Sequence, residues 1–223
     1  MQKLLKNMST KHNIVVPKTA NYSTLGDIKT AKTIWFVLHG YGFLAEFFIK
    51  KFEPILTNET CVIAPEALSR FYLNGFHGRV GASWMTKHQR LEEIEDYTNY
   101  LQLLFETILK ENNGNYTKIN IVGFSQGGAT ASRWLASKKV SCTNFILWAS
   151  VFPDDLDFNI VSKETNTTLI YGNQDEFLTE ERIALLRTQI KDSKTACNII
   201  TFNGKHDIPK EVLVEESIKN NWN

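Results

Sequence analysis

Ser125 lies in the hexapeptide Gly123-Phe124-Ser125-Gln126-Gly127-Gly128, with a glycine two positions away on either side. A serine at the tip of a sharp strand-to-helix turn has a strained backbone, and glycines at those spacings let strand and helix pass closely enough to lift the hydroxyl clear. The flanks suit that geometry. Ile119-Asn120-Ile121-Val122 is a short run rich in β-branched residues, and the residues after Gly128 favour a helix. The chemistry this predicts is nucleophilic attack by the Ser125 oxygen, with the N–H of the next residue directed at the same spot. A hydroxyl is a weak nucleophile alone, so a base and a group that orients the base must come from elsewhere in the chain.

Two segments can supply them. His206 ends Asn203-Gly204-Lys205-His206, directly after the strand-like run Cys197–Phe202, and Asp175 ends Gly172-Asn173-Gln174-Asp175, directly after Thr167–Tyr171. Asp207 is a poor partner for His206 because neighbouring side chains diverge, whereas Asp175 can reach over from another strand end. A further stretch, His39-Gly40-Tyr41-Gly42, follows the solid apolar run Ile34–Leu38 and brings exposed N–H groups, making it the candidate second half of an oxyanion hole. His39 itself is expected to be a hydrogen-bonded structural residue, since His206 is the better-placed base.

These groups need a scaffold, and the hydrophobic pattern describes one. Strands are expected at His12–Val16, Ala20–Leu25, Thr33–Leu38, Thr60–Ala64, Lys118–Val122, Thr143–Ala149, Thr167–Tyr171 and Cys197–Phe202. Helices are expected at Leu44–Leu56 (interrupted near its end by Pro54), Thr86–Lys110, Gly127–Ser137, Glu180–Ile190 and Pro209–Ile218, the last with Asp207 as its cap. Glu92, Glu93, Glu95 and Asp96 then form a solvated helix face, with His88 in the exposed first turn. Strands alternating with helices imply an α/β fold: a mostly parallel sheet with helices on both faces, whose reactive groups gather at the carboxyl ends of the strands. Gly40, Ser125, Asp175 and His206 all fall there, and the order Ser, Asp, His is the one this fold class uses.

Between Pro65 and Thr86 the pattern dissolves for about twenty residues, longer than most connections in compact domains. Phe71, Tyr72, Phe76, Trp84 and Met85 lie in it among three glycines, and with Phe152 from the loop after Trp148 they are the expected walls of an apolar substrate pocket. His77 and Arg79 are expected at the surface. Bulky walls would fill early, which predicts a preference for short to medium acyl chains.

At 223 residues and 43% hydrophobic content the chain can bury one sizeable core, so a single domain, residues 1–223, is expected. A net charge of +1 without long blocks of either sign gives no reason to propose nucleic acid or an anionic membrane as partner. No signal-peptide core or membrane-length apolar run is present, which predicts a cytoplasmic protein without membrane insertion. Cys61, Cys142 and Cys197 are odd in number and far apart, fitting buried free thiols; no metal-ligand spacing and no cofactor motif occurs. Nothing in the sequence speaks to oligomeric state.

Four segments, Leu38–Gly42, Gly123–Gly128, Gly172–Asp175 and Gly204–Pro209, together resemble the phospholipase/carboxylesterase family of α/β-hydrolases, which includes acyl-protein thioesterases and small bacterial serine esterases. The resemblance implies that Ser125, Asp175 and His206 form a catalytic triad and that the N–H groups of Tyr41 and Gln126 form the oxyanion hole. It implies a small-molecule ester substrate and no cofactor or metal. Many thioesterase-type members carry an aspartate where this chain has Phe43 and a histidine where it has Tyr171, which places a thioesterase or lysophospholipase activity behind a carboxylesterase. A non-catalytic binding protein on the same scaffold is the reading of another class.

Overall fold

The computed structural model describes residues 9–137, 140–193 and 195–223. Among them, seven strands form one sheet in the order β1 (Tyr22–Leu25), β3 (Thr60–Pro65), β2 (Thr33–Leu38), β6 (Lys118–Phe124), β7 (Asn144–Trp148), β8 (Asn166–Gly172) and β9 (Cys197–Phe202). β1 runs antiparallel to β3; every other pair in the sheet is parallel. This is the mostly parallel α/β sheet expected from the alternating pattern, and the α/β-hydrolase fold that the resemblance implied has the same arrangement.

Because successive strand residues face opposite ways, the solid apolar strands serve two cores at once. Ile34, Phe36 and Leu38 of β2 pack with α2 (Arg90–Asn112), α3 (Gln126–Ala136) and α4 (Glu180–Asp192), through Leu101, Leu104, Trp134 and Leu186. Trp35 and Val37 join Val122, Ile146 and Trp148 against the other layer, α1 (Ala45–Phe48) and α5 (Lys210–Lys219), through Phe48 and Leu213. A sheet buried on both sides has no solvent face that needs polar residues, hence the unbroken apolar runs.

Several expectations are corrected. The run His12–Val16 forms no strand: Ile14, Val15 and Val16 are exposed, and no neighbouring strand offers a ladder. Leu44–Leu56 is α-helical only over α1 and continues as a 3₁₀ helix, Ile49–Ile55, because Pro54 lacks an N–H and its ring crowds the preceding turn. α2 starts at Arg90, since Gln89 adopts a left-handed conformation (φ 53°), so His88 lies ahead of the helix. Asp207 does not cap α5; its carboxylate accepts from Lys51 Nζ at 2.6 Å and from the Ile208 N–H at 2.8 Å.

The Pro65–Thr86 stretch is not irregular. Ser69–Asn74 (β4) and His77–Ser83 (β5) pair as an antiparallel hairpin whose two-residue turn, Gly75–Phe76, has Gly75 at φ 71°, as a type II′ turn requires. The glycines that read as breakers have specific places. Gly75 makes the turn, and Gly81 faces the Gly42 backbone, where a Cβ would sit 2.5 Å from the Gly42 oxygen.

Candidate active site

The elbow forms as its spacing requires. Ser125 has φ 54° and ψ −120°, a region non-glycine residues avoid. A Cβ on Gly127 would lie 2.2 Å from the Leu38 oxygen, and one on Gly123 2.4 Å from the Gly128 Cα, so β2, β6 and α3 can converge only on bare backbone. The strained turn is held from two sides. The Ser125 N–H donates to the Trp148 carbonyl at 3.0 Å, and the Ser150 hydroxyl donates to the Ser125 carbonyl at 2.8 Å.

His206 and Asp175 meet across the ends of β9 and β8. The carboxylate Oδ2 of Asp175, fully buried, accepts from His206 Nδ1 at 2.7 Å, and its Oδ1 accepts from the Phe177 N–H at 2.9 Å. With Nδ1 donating to a carboxylate, the neutral imidazole carries its lone pair on Nε2, and Nε2 makes no hydrogen bond to a described residue. The ring is packed between Phe124, the residue before Ser125, and Phe177, at centroid distances of 5.0 and 4.7 Å. Trp148 ties this loop to the elbow: its carbonyl holds Ser125, and its indole N–H donates to the Asp207 carbonyl at 2.9 Å. Asp207 turns its own carboxylate toward Lys51. The Ser125 hydroxyl makes no hydrogen bond to a described residue, and neither do the N–H groups of Tyr41 and Gln126, which leaves them available to a ligand.

His39 is structural, as expected. It is fully buried; its Nδ1 donates to the Gly40 carbonyl at 2.7 Å while Nε2 accepts from the Ala67 N–H at 3.0 Å, which fixes the neutral tautomer. Burial pushes its pKa down to about 4, against a smaller upward pull from the Gly40 bond. Between about 6.5 and 4 the unfolded chain binds a proton that the folded protein refuses, so this group's share of stability is complete above 6.5 and is lost as pH falls toward 4. The expected loss between pH 7.5 and pH 5 is about 2 kcal/mol from this residue, at ~1.4 kcal/mol per pH unit. Urea midpoints of the wild type and of His39→Gln at both pH values check it: the gap between the two proteins should narrow at pH 5, and a constant gap would refute it.

A cleft of about 730 Å³ adjoins Phe177, which packs on His206; Ser125, Asp175 and His206 do not themselves line it. Val151 and Phe152, which line it, directly follow Ser150; Phe177 comes two residues after Asp175, and Leu185 belongs to α4. Asp154, Glu176, Glu181 and Arg182 also line it. Of the six aromatic and sulfur side chains expected as pocket walls, Phe152 is there and the other five do not line it. Phe76 is 94% exposed at the hairpin tip, Tyr72 is half exposed on β4, and Phe71 stacks on Tyr41 at 5.0 Å. Trp84 is 2% exposed, a core residue whose indole N–H donates to the His39 carbonyl at 2.8 Å. Met85 is half-buried, its sulfur 4.0 Å from Arg133 Nη1. Sequence reasoning missed Phe177 and Ser150. An apolar residue two places after Asp175 was a usable signal for the first, and nothing in the sequence marks the second. Among the described residues no cluster of His, Cys, Asp or Glu could hold a metal ion, and no helix is long and apolar enough to cross a membrane.

A family model described as serine hydrolase (FSH1) matches residues 30–218. No curated protein sequence matches the chain. Among solved structures, acyl-protein thioesterase 2 of Zea mays superposes with a TM-score of 0.69 at 18% identity, over 92% of this chain and 100% of that one. A carboxylesterase of Bacillus cereus gives 0.68 at 14% identity (92% and 95% covered), and one of Mesorhizobium loti 0.69 at 17% (90% and 94%). Identities this low establish a shared fold. The serine hydrolase family match together with this shared fold agrees with the resemblance read from the four motif segments.

Proposed function

The chain belongs to the serine hydrolase (FSH1) family, and from that premise we propose that it is a carboxylesterase working through an acyl-enzyme on Ser125. The observation that carries this reading is the pairing of buried Asp175 with half-buried His206, 2.7 Å apart, with the imidazole Nε2 unengaged and the ring packed beside the elbow. His206 takes the Ser125 proton as the oxygen attacks the ester carbonyl, and Asp175 holds the Nδ1–H tautomer and stabilises the imidazolium. The N–H groups of Tyr41 and Gln126 receive the oxyanion; the alcohol leaves with the proton from His206, and water repeats the cycle on the acyl-enzyme.

The substrates are soluble esters of short to medium acyl chains. The cleft supports this through its mixed walls: a long alkyl chain laid along it would strip water from Asp154, Glu176 and Glu181, none of which has an ion-pair partner among the described residues, and burying an unpaired carboxylate is costly. That argument also ranks a lysophospholipase or long-chain thioesterase second. The test is a fluorophosphonate probe followed by peptide mapping, with a p-nitrophenyl ester chain-length series alongside. A single adduct on the Ser125 peptide and a kcat/KM that peaks at short to medium chains are expected. Absence of an adduct would return the chain to a binding role, and a steady climb to palmitoyl would favour the long-chain reading.

A further inference from the structure

Gln126 is used twice. Its backbone N–H is an oxyanion donor in the esterase reading, on which this inference rests, and its side chain reaches back to the end of β5. The carboxamide Nε2 donates to the Met85 carbonyl at 2.9 Å and to Ser83 Oγ at 3.2 Å, while Oε1 accepts from the Trp84 N–H at 3.1 Å. The orientation of the amide is fixed by its partners, since a carbonyl can only accept and a backbone N–H can only donate. Both of its N–H donors and its oxygen are engaged.

The other donor loop leans on the same strand. The Ala82 carbonyl accepts from the Gly42 N–H at 2.9 Å, and the Ala82 N–H donates to the Phe43 carbonyl at 3.1 Å, closing an isolated antiparallel bridge directly after Tyr41. Gly81 lets the Gly42 backbone lie flush against β5. Residues Ala82–Met85 therefore touch the loop that carries the Tyr41 N–H and the side chain attached to the Gln126 N–H. The hairpin stands outside the main sheet, yet its root joins the two halves of the hole.

We propose that the end of β5 is the spacer that sets the distance between the two oxyanion donors, and that the Gln126 carboxamide is the positioning residue that fastens the elbow to it. Donors act only within about 2.7–3.1 Å of the developing oxyanion, and a displacement of about 1 Å can cost on the order of 100-fold in rate. A side chain that merely filled space there would alter stability and leave the rate of the chemical step unchanged.

Two variants test this. Gln126→Glu keeps the shape but cannot donate to the Met85 carbonyl; Gln126→Met keeps length and packing without charge or hydrogen bonds. For both, kcat on a p-nitrophenyl ester should fall about 10- to 100-fold with KM within about twofold. Affinity for a trifluoromethyl ketone, whose tetrahedral adduct places an oxyanion in the hole, should weaken by the same factor, and thermal unfolding should show both proteins folded. Wild-type kcat and inhibitor affinity in either folded variant, or losses confined to KM or to the melting temperature, would overturn the proposal while leaving the esterase reading intact. A wild-type protein with no turnover would overturn both.

Discussion

Ser125→Ala is expected to lower ester turnover by about five to six orders of magnitude, the scale on which removing the nucleophile disables a serine triad. The fold should hardly notice. The hydroxyl supports no hydrogen bond to a described residue, and the strained turn is fastened through the backbone, by the Trp148 and Ser150 bonds, which alanine keeps. A change in unfolding free energy within about 0.5 kcal/mol is the expectation for such a site. Turnover of p-nitrophenyl esters, measured against a buffer blank with urea midpoints on the same preparations, checks both halves. Turnover above about one-hundredth of wild type would show that another group is the nucleophile.

The second large effect is expected at Asp175, where substitution by asparagine should lower kcat by about 10⁴-fold. The geometry explains why so isosteric a change is so damaging. Oδ1 accepts from the Phe177 N–H, so the amide oxygen of asparagine must stay on that side and its NH₂ is forced toward His206. A donor facing Nδ1 requires Nδ1 to be the acceptor, which moves the ring proton to Nε2, where the Ser125 proton would have to go. Asp207→Asn is the control. Its carboxylate is 56% exposed and engaged with Lys51, away from the imidazole, so kcat should stay within about twofold. Steady-state kinetics on the two variants decide it, and the reverse ranking would make Asp207 the acid.

What the sequence made legible was whatever short-range pattern enforces. The β2, β3, β6, β7 and β8 strands announced themselves because burial on both faces demands unbroken apolar runs, and Gly123 and Gly127 because nothing larger fits against the Leu38 oxygen and the Gly128 Cα. The hairpin was hidden because Gly75, Gly78 and Gly81 mimic a loop and its exposed side chains mix Tyr72 and Leu73 with Arg70, His77 and Arg79; Gly75 at the first turn position was the local signal. Trp84 and Phe76 show the limit for pocket walls. Both are large aromatics in one segment, yet one is sealed in the core and the other is exposed at a hairpin tip, a difference set by tertiary partners such as the His39 carbonyl. The cleft wall at Phe177 depends on where α4 docks, which local pattern does not encode.

The order of strands ties function to the margin of the sheet. β9, which delivers His206, is an edge strand, paired only with β8, and only Phe202 of its residues is buried; Ser125 and Asp175 hang from strands with neighbours on both sides. Local opening is cheapest where one ladder does the holding. A fluctuation that peels β9 away parts the imidazole from its carboxylate while both hydrophobic cores persist. Mild denaturant or warmth is therefore expected to part this pair before the cores unfold, and hydrogen exchange along Cys197–Phe202, more than the global melting point, is the measurement that would register it.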